Sequence, residues 1–293
     1  MDKKTKYFLI AFFVCMVLSF IVNISTAGSK NKSGNPLFGG AKQVGVIRIE
    51  GVIMESNDLV NEINEFRDDK NTAAILLRID SPGGAVAPSQ EIFSAVRRAA
   101  ETKPVIVSMG AVAASGGYYI ASGASKIFAN GGTLTGSIGV IAEFPRFNEL
   151  LNRLGISIEV ITAGKLKDAG SPMRELTREE RTYFDNLLKD THGQFIRDVA
   201  AGRNMDLDYI KALAEGQIFT GNQALELGLI DALGTFDDAK NYILESLQLP
   251  ENTRFTENVN YRRLLRNLSL KSPLKNIFPI RRSGIYFIAE SLI

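Results

Sequence analysis

From Gln43 onward, short β-branched runs alternate with helical stretches, and several of the runs end in glycine-rich turns. No other feature constrains the fold as much. A short apolar run needs strand neighbours to satisfy its backbone, and an amphipathic helix needs an apolar surface to cover. Residues 44–50 (VGVIRIE), 73–80 (AAILLRID), 104–109 (PVIVSM) and 156–161 (ISIEVI) predict strands. Residues 57–69, 88–100, 114–121 and 176–202 predict helices. The first places Leu59, Ile63 and Phe66 on one face, the second opens on Pro88, and the last opens on the capping-box pattern Thr177-Arg-Glu-Glu180. This order predicts an α/β fold with a mostly parallel sheet and helices on its faces. In such folds chemistry collects at the carboxyl ends of the strands. No internal repeat of fixed period is visible, which argues against a solenoid.

The N-terminus is of another kind. Residues 7–24 (YFLIAFFVCMVLSFIVNI) carry no charge, and none appears between Lys6 and Lys30. As a helix, such a run crosses about 30 Å of hydrocarbon. Lys3, Lys4 and Lys6 precede it and favour a cytoplasmic N-terminus, with the body outside the cytoplasmic membrane. The competing reading is a cleaved signal peptide, because Ser25-Thr-Ala-Gly28 supplies small residues for a signal peptidase. The organisation expected is a cytoplasmic N-terminus over 1–6, a transmembrane anchor over 7–27, a Gly/Ser/Asn-rich linker over 28–42, one folded domain over 43–250 and a basic tail over 251–293.

Scarce residues narrow the chemistry. The chain has 34 basic and 32 acidic side chains, so it offers no bulk electrostatic address and no nucleic-acid partner is expected. Its one cysteine, Cys15, lies in the apolar N-terminal run, which leaves no internal disulfide and no plausible cysteine nucleophile. Its one histidine is His192, so clustered-histidine zinc sites are excluded, and no metal or cofactor is expected. A hydrolytic base must therefore be His192, a carboxylate or a lysine.

Three pieces stand out. Asp80-Ser-Pro-Gly-Gly-Ala85 follows a predicted strand, and its glycine pair lets backbone N–H groups turn outward, as an oxyanion hole requires; the alternative is an ordinary Pro-Gly turn. Gly110-Ala-Val-Ala-Ala-Ser-Gly-Gly117 puts Ser115 at a strand-to-helix junction among small residues. That follows the logic, though not the spelling, of a nucleophile elbow; the alternative is a small-residue helix packed on a neighbour. Thr162-Ala-Gly-Lys-Leu-Lys-Asp168 offers Lys165 and Lys167. A lysine works as a base when burial depresses its pKa from about 10.4, and Ser-Lys pairs are a convergent protease arrangement. The alternative is a solvated basic loop. His192 lies in the polar Asp190-Thr-His-Gly193 stretch, framed by nothing that looks like a site, and reads as a helix-face residue. Asp80 reads as shaping its own turn.

Taken in order, the motifs Asp80-Ser-Pro-Gly-Gly84, Ala114-Ser-Gly-Gly-Tyr-Tyr119, Leu134-Thr-Gly-Ser-Ile-Gly139, Gly164-Lys-Leu-Lys-Asp168, Ser171-Pro172, Gly216-Gln-Ile-Phe-Thr-Gly221 and Ala224-Leu-Glu-Leu-Gly-Leu-Ile-Asp231 resemble the short bacterial-type signal peptide peptidases of the SppA kind. The resemblance runs from about residue 44 to about residue 238. It implies a ClpP/crotonase-like fold of repeated ββα units. It also implies Ser115 as nucleophile, Lys167 as general base, Ser137 as the serine that orients the lysine, and the amides of Gly83 and Gly116 as the oxyanion hole. Further implied are peptide substrates, namely remnant signal peptides at the membrane, and a homo-oligomeric ring around the active sites.

Three rival functions remain on the residues alone: a crotonase-type acyl-CoA enzyme, a membrane protease paired with a stomatin-like partner, and a non-catalytic membrane scaffold. The anchor and Ser115 argue against the first, and the joint presence of Ser115, Lys167 and Ser137 argues against the last. The tail carries Arg262, Arg263, Arg266, Lys271, Lys275, Arg281 and Arg282 with interleaved apolar residues. It reads as a disordered basic tail, as a segment for anionic lipid, or as a strap over an active site.

Overall fold

A computed structural model of the chain describes residues 42–258 and the backbone of residues 285–288. In chain order the elements are β1 (Gln43–Glu50), α1 (Asn57–Asp68), β2 (Thr72–Ser81), β3 (Gly83–Ala85), α2 (Val86–Ala100), β4 (Val105–Ala114), α3 (Gly116–Ser122), β5 (Lys126–Ala129), β6 (Leu134–Gly136), β7 (Ile141–Ala142), α4 (Asn148–Arg153), α5 (Arg178–Arg203), α6 (Leu207–Ala212), β8 (Ile218–Thr220), α7 (Gly221–Glu226), β9 (Ala232–Leu233), α8 (Phe236–Ser246), β10 (Arg254–Glu257) and β11 (Ile285–Ile288). The expected anchor and linker, and most of the basic tail, lie outside the described residues.

The main sheet runs β10-β1-β2-β4-β5-β9 with every neighbouring pair parallel, and β6 adds in parallel to the far end of β4. Among the described residues, only β8, which pairs β6, is antiparallel in this sheet. A mixed α/β architecture with a mostly parallel sheet is therefore established. Strand β10 comes from the start of the stretch read as a basic tail.

Alternation explains why the central strands read as unbroken apolar runs. Along β2, Ile75, Leu77 and Ile79 face one side of the sheet, and Ala74 and Leu76 face the other. The first set packs with Ile63 and Phe66 of α1, Ile92 and Val96 of α2, Tyr119 of α3 and Phe195 of α5. The second set packs with Ala239 and Ile243 of α8. A Leu or Ile buried this fully contributes about 1.5–3 kcal/mol, so the two-sided burial of β2 anchors the sheet from which the site is built.

Boundaries shift by small amounts at most helices. Helix α5 begins where the capping box foretold: Thr177 accepts from the Glu180 amide, and the Glu180 carboxylate accepts from the Thr177 amide. Helix α2 starts two residues before Pro88, and α3 starts after Ser115, because β4 runs on to Ala114. The largest departure is at residues 156–161, where no strand forms. Their alternating Ile156, Ile158 and Val160 are all exposed, and Ile161 is 91 % exposed. The β pattern is present, but among the described residues no neighbouring strand edge is there to pair it.

Candidate active site

The two glycine-rich turns meet. Strand β2 ends at Ser81 and β4 ends at Ala114, in neighbouring parallel positions of the sheet, with Ser81 paired to Ala113. Both turns therefore emerge at the carboxyl edge, and Gly116 sits directly on the first turn. A Cβ on Gly116 would stand 3.2 Å from Gly83 Cα and 2.6 Å from the Ser89 hydroxyl oxygen. Gly84 is confined in the same way, since a Cβ there would run into the Ile53 carbonyl. The Asp80 carboxylate accepts from the Val112 amide at 3.1 Å, so it ties the end of β2 to β4 rather than closing its own turn.

Ser115 occupies the sharp corner between β4 and α3. Its backbone has φ 51° and ψ −117°, a conformation costly for a side-chain-bearing residue, and one that functional sites retain when the surroundings enforce it. The surroundings do so here. The Ser115 amide donates to the Gly136 carbonyl at 2.8 Å, and the Ser115 carbonyl accepts from Tyr119 at 2.8 Å. Behind the corner, Tyr118 donates to the Leu229 carbonyl at 2.9 Å, and Tyr119 donates to Asp198 of α5. Burial pushes both phenols well above their ordinary pKa, so they remain neutral donors at any working pH. Ser115 is 1 % exposed, and among the described residues its hydroxyl has no hydrogen-bond partner. A buried hydroxyl without a partner is uncommon and calls for an explanation.

Ser137 lies next door. It follows Gly136, whose carbonyl holds Ser115, and it too has φ 51°. It is buried, and its amide donates to the Gln217 carbonyl at 2.8 Å. The structure thus brings Ser115, Gly116, Gly83 and Ser137 to one edge of the sheet. The two glycine amides differ. The Gly83 amide is turned toward the Ser81 hydroxyl at 3.1 Å, whereas Gly116 opens α3, where a first-turn amide has no partner within its helix.

Lys167 is not hydrogen-bonded to Ser115. It is exposed, in a turn where its amide donates to the Gly164 carbonyl at 3.1 Å. Lys165 is paired with Glu179 at 2.8 Å. The loop carrying them is tied to the start of α5. Arg174 contacts Asp168 at 2.8 Å and Glu180 at 2.6 Å. Hydrogen bonds from Arg174 and from the Thr177 amide pull the Glu180 carboxyl down to about 2. His192 projects from α5 to the Ile138 carbonyl at 3.2 Å, one residue from Ser137, and makes no hydrogen bond to Ser115.

A groove runs past this corner, and residue patterns did not foretell it. Strand β11 lies between β3 and β7, antiparallel to both. Ile288, Phe287 and Tyr286 stand opposite Gly83, Gly84 and Ala85, and Tyr286 and Ile285 stand opposite Ile141 and Ala142. Walls of three and two residues are too short to show periodicity, so neither was legible beforehand.

Comparison with known proteins identifies the family. The pattern of peptidase family S49 matches residues 97–249, and that of Clp protease matches residues 46–130. A candidate protease of Synechocystis sp. is 45 % identical over 202 residues, covering 69 % of this chain and 73 % of that one. A candidate signal peptide peptidase SppA of Enterococcus faecium is 33 % identical over 226 residues, 72 % of this chain and 66 % of that one. The chloroplastic serine protease SPPA of Arabidopsis thaliana is 35 % identical over 234 residues, 75 % of this chain and 35 % of that one. On the strength of the S49 match and these relatives, this chain belongs to peptidase family S49, as a serine peptidase of the SppA type.

Proposed function

We propose that the chain is a membrane-anchored endopeptidase that uses Ser115 and Lys167 to degrade remnant signal peptides. The observation that carries this reading is the groove. An extended segment lies antiparallel to β3, directly beside the strained Ser115. Recognition through backbone pairing tolerates many sequences, as a peptidase clearing varied apolar peptides needs. The uncharged run over residues 7–24 supports placement at a membrane, and the SppA name of relatives supports the substrate class.

In the mechanism, Lys167 in its neutral form takes the proton from the Ser115 hydroxyl as Oγ attacks the peptide carbonyl. The oxyanion of the tetrahedral intermediate is met by amides of the Gly83–Gly84 turn and of Gly116. Lys167 returns the proton to the leaving amine, and water then cleaves the acyl-enzyme by the same route. A lysine acts as base where burial strips water from its ammonium. Lys167 is exposed in the single chain, downstream of the unpaired apolar residues 156–161. Packing of that segment against a second copy, as in a homo-oligomeric ring, would cover both.

The test is labelling by a fluorophosphonate probe, together with cleavage of an apolar fluorogenic peptide, in wild type, Ser115→Ala and Lys167→Ala. The reading expects no labelling in Ser115→Ala and slow labelling in Lys167→Ala. Full labelling of Lys167→Ala with loss in Lys165→Ala would move the base to Lys165.

A further inference from the structure

The chain's single histidine lies at a structural junction that the proposed mechanism does not use. His192 is half-buried on α5, and its Nε2 stands 3.2 Å from the Ile138 carbonyl oxygen. A carbonyl only accepts, so Nε2 carries the hydrogen, and the contact forms whether the ring is neutral or charged.

Ile138 follows Ser137 directly and is completely buried. Three residues further on, Ile141 begins β7, the second wall of the peptide groove. The segment 137–142 therefore carries the serine that flanks Ser115 at one end and a substrate-binding edge at the other. Two hydrogen bonds hold its beginning: the Ser137 amide to Gln217, and the Ile138 carbonyl to His192. The same helix also grips the nucleophile corner, through Asp198 and Tyr119. His192 and Asp198 are six positions apart, about 9 Å along a helix axis. Helix α5 thus acts as a rigid bar touching both halves of the site, with His192 reaching the Ser137 half.

We propose that His192 is a positioning residue: by holding the Ile138 carbonyl, it sets where Ser137 stands relative to Ser115. The proposal rests on Ser115 being the nucleophile and Ser137 serving the base. It assigns a role in turnover to a residue that looks, from its surroundings in the sequence, like an ordinary helix-face histidine.

The experiment compares the full-length chain in detergent with His192→Gln, His192→Leu, Ser137→Ala and His192→Leu/Ser137→Ala, using an apolar fluorogenic peptide. Glutamine places an amide N–H near the Nε2 position and leucine removes the donor. We expect His192→Leu to lower kcat about tenfold, as a small misplacement of a reacting geometry does, with KM within about threefold and the melting temperature retained. His192→Gln should keep kcat within about threefold of wild type, and the double variant should be no slower than Ser137→Ala, because both changes act through one element. Wild-type kcat in His192→Leu would overturn the proposal, as would equal loss in the Leu and Gln variants or fully multiplicative losses in the double variant. If His192→Leu fails to fold, His192→Asn against His192→Gln decides: asparagine falls short of the carbonyl, so equal kcat in the two overturns the proposal and a slower Asn variant supports it. A Ser115→Ala chain as active as wild type would remove the nucleophile reading and this inference with it. An inactive Ser115→Ala beside a fully active His192→Leu removes this inference alone.

Discussion

The Ser115 amide donates to the Gly136 carbonyl at 2.8 Å, so the Ser115 corner hangs from the peptide unit that leads into Ser137. Ser115 and Ser137 share φ 51°, and each is held in that conformation by a backbone bond to another segment. Strain at both residues is thereby maintained by one small set of contacts, and what disturbs one is transmitted to the other.

Removing the nucleophile tests the centre of the reading. Ser115→Ala should lower peptide cleavage by about 10³-fold or more, with Lys167→Ala close behind, because residues that act as a unit fail as a unit. Initial rates on one fluorogenic peptide, with melting temperatures as control, check this.

The contact between the two glycine turns predicts a steric block. In Gly116→Ala the new methyl would meet the Ser89 hydroxyl at 2.6 Å and Gly83 Cα at 3.2 Å. Displacing the Ser115 corner should cost about 10²-fold in kcat/KM. Adding Ser89→Ala relieves only the first clash, so it should restore part of the activity and not all of it.

The strand in the groove makes a prediction about the tail. Because β11 pairs with β3 and β7, it competes with any peptide that binds there. A tethered competitor acts at an effective concentration on the order of millimolar. Truncation before residue 285 should lower KM for an added peptide several-fold and leave kcat unchanged. An unchanged KM would show that β11 does not occlude the groove in solution.

Glu180 gives the loop a pH limit with a defined sign. Its folded pKa, about 2, lies below the ordinary 4.5, and Arg174 is the first cause. A depressed carboxyl stabilises the fold above its unfolded pKa, and that contribution is lost as pH falls through the folded value. The tie between Arg174 and Glu180 should therefore weaken between about pH 4.5 and 2, as seen by faster hydrogen exchange over residues 165–177. Arg174→Leu should show the same loosening at neutral pH.

The unpaired apolar run predicts assembly. Ile158→Asp and Val160→Asp replace exposed residues, so neither should lower the stability of the single chain by more than about 0.5 kcal/mol. Both should shift the size distribution toward the monomer and lower activity in parallel, measured by sedimentation and peptide cleavage. Full activity in a monomeric variant would separate Lys167 from any second copy.

Much of this molecule is written locally. The two-sided apolar run of β2, the capping box at Thr177 and Glu180, the face of Ile63 and Phe66, and the glycine turn after Asp80 each follow from periodicity or turn chemistry over a few residues, whereas Gly110, read as opening a turn after Met109, lies inside β4. Together they define a parallel α/β sheet with its chemistry at the carboxyl edge, and Ser115 as the residue to examine. Tertiary structure decided the rest. The contact of Gly116 with Gly83, the tie from Ser115 to Gly136, the groove walls β3 and β7 and the reach of His192 to Ile138 all join segments far apart in sequence. Residues 156–161 show the limit most plainly. Their alternation specifies a strand, but a strand exists only where another edge accepts its hydrogen bonds, and no stretch of residues encodes its own neighbour.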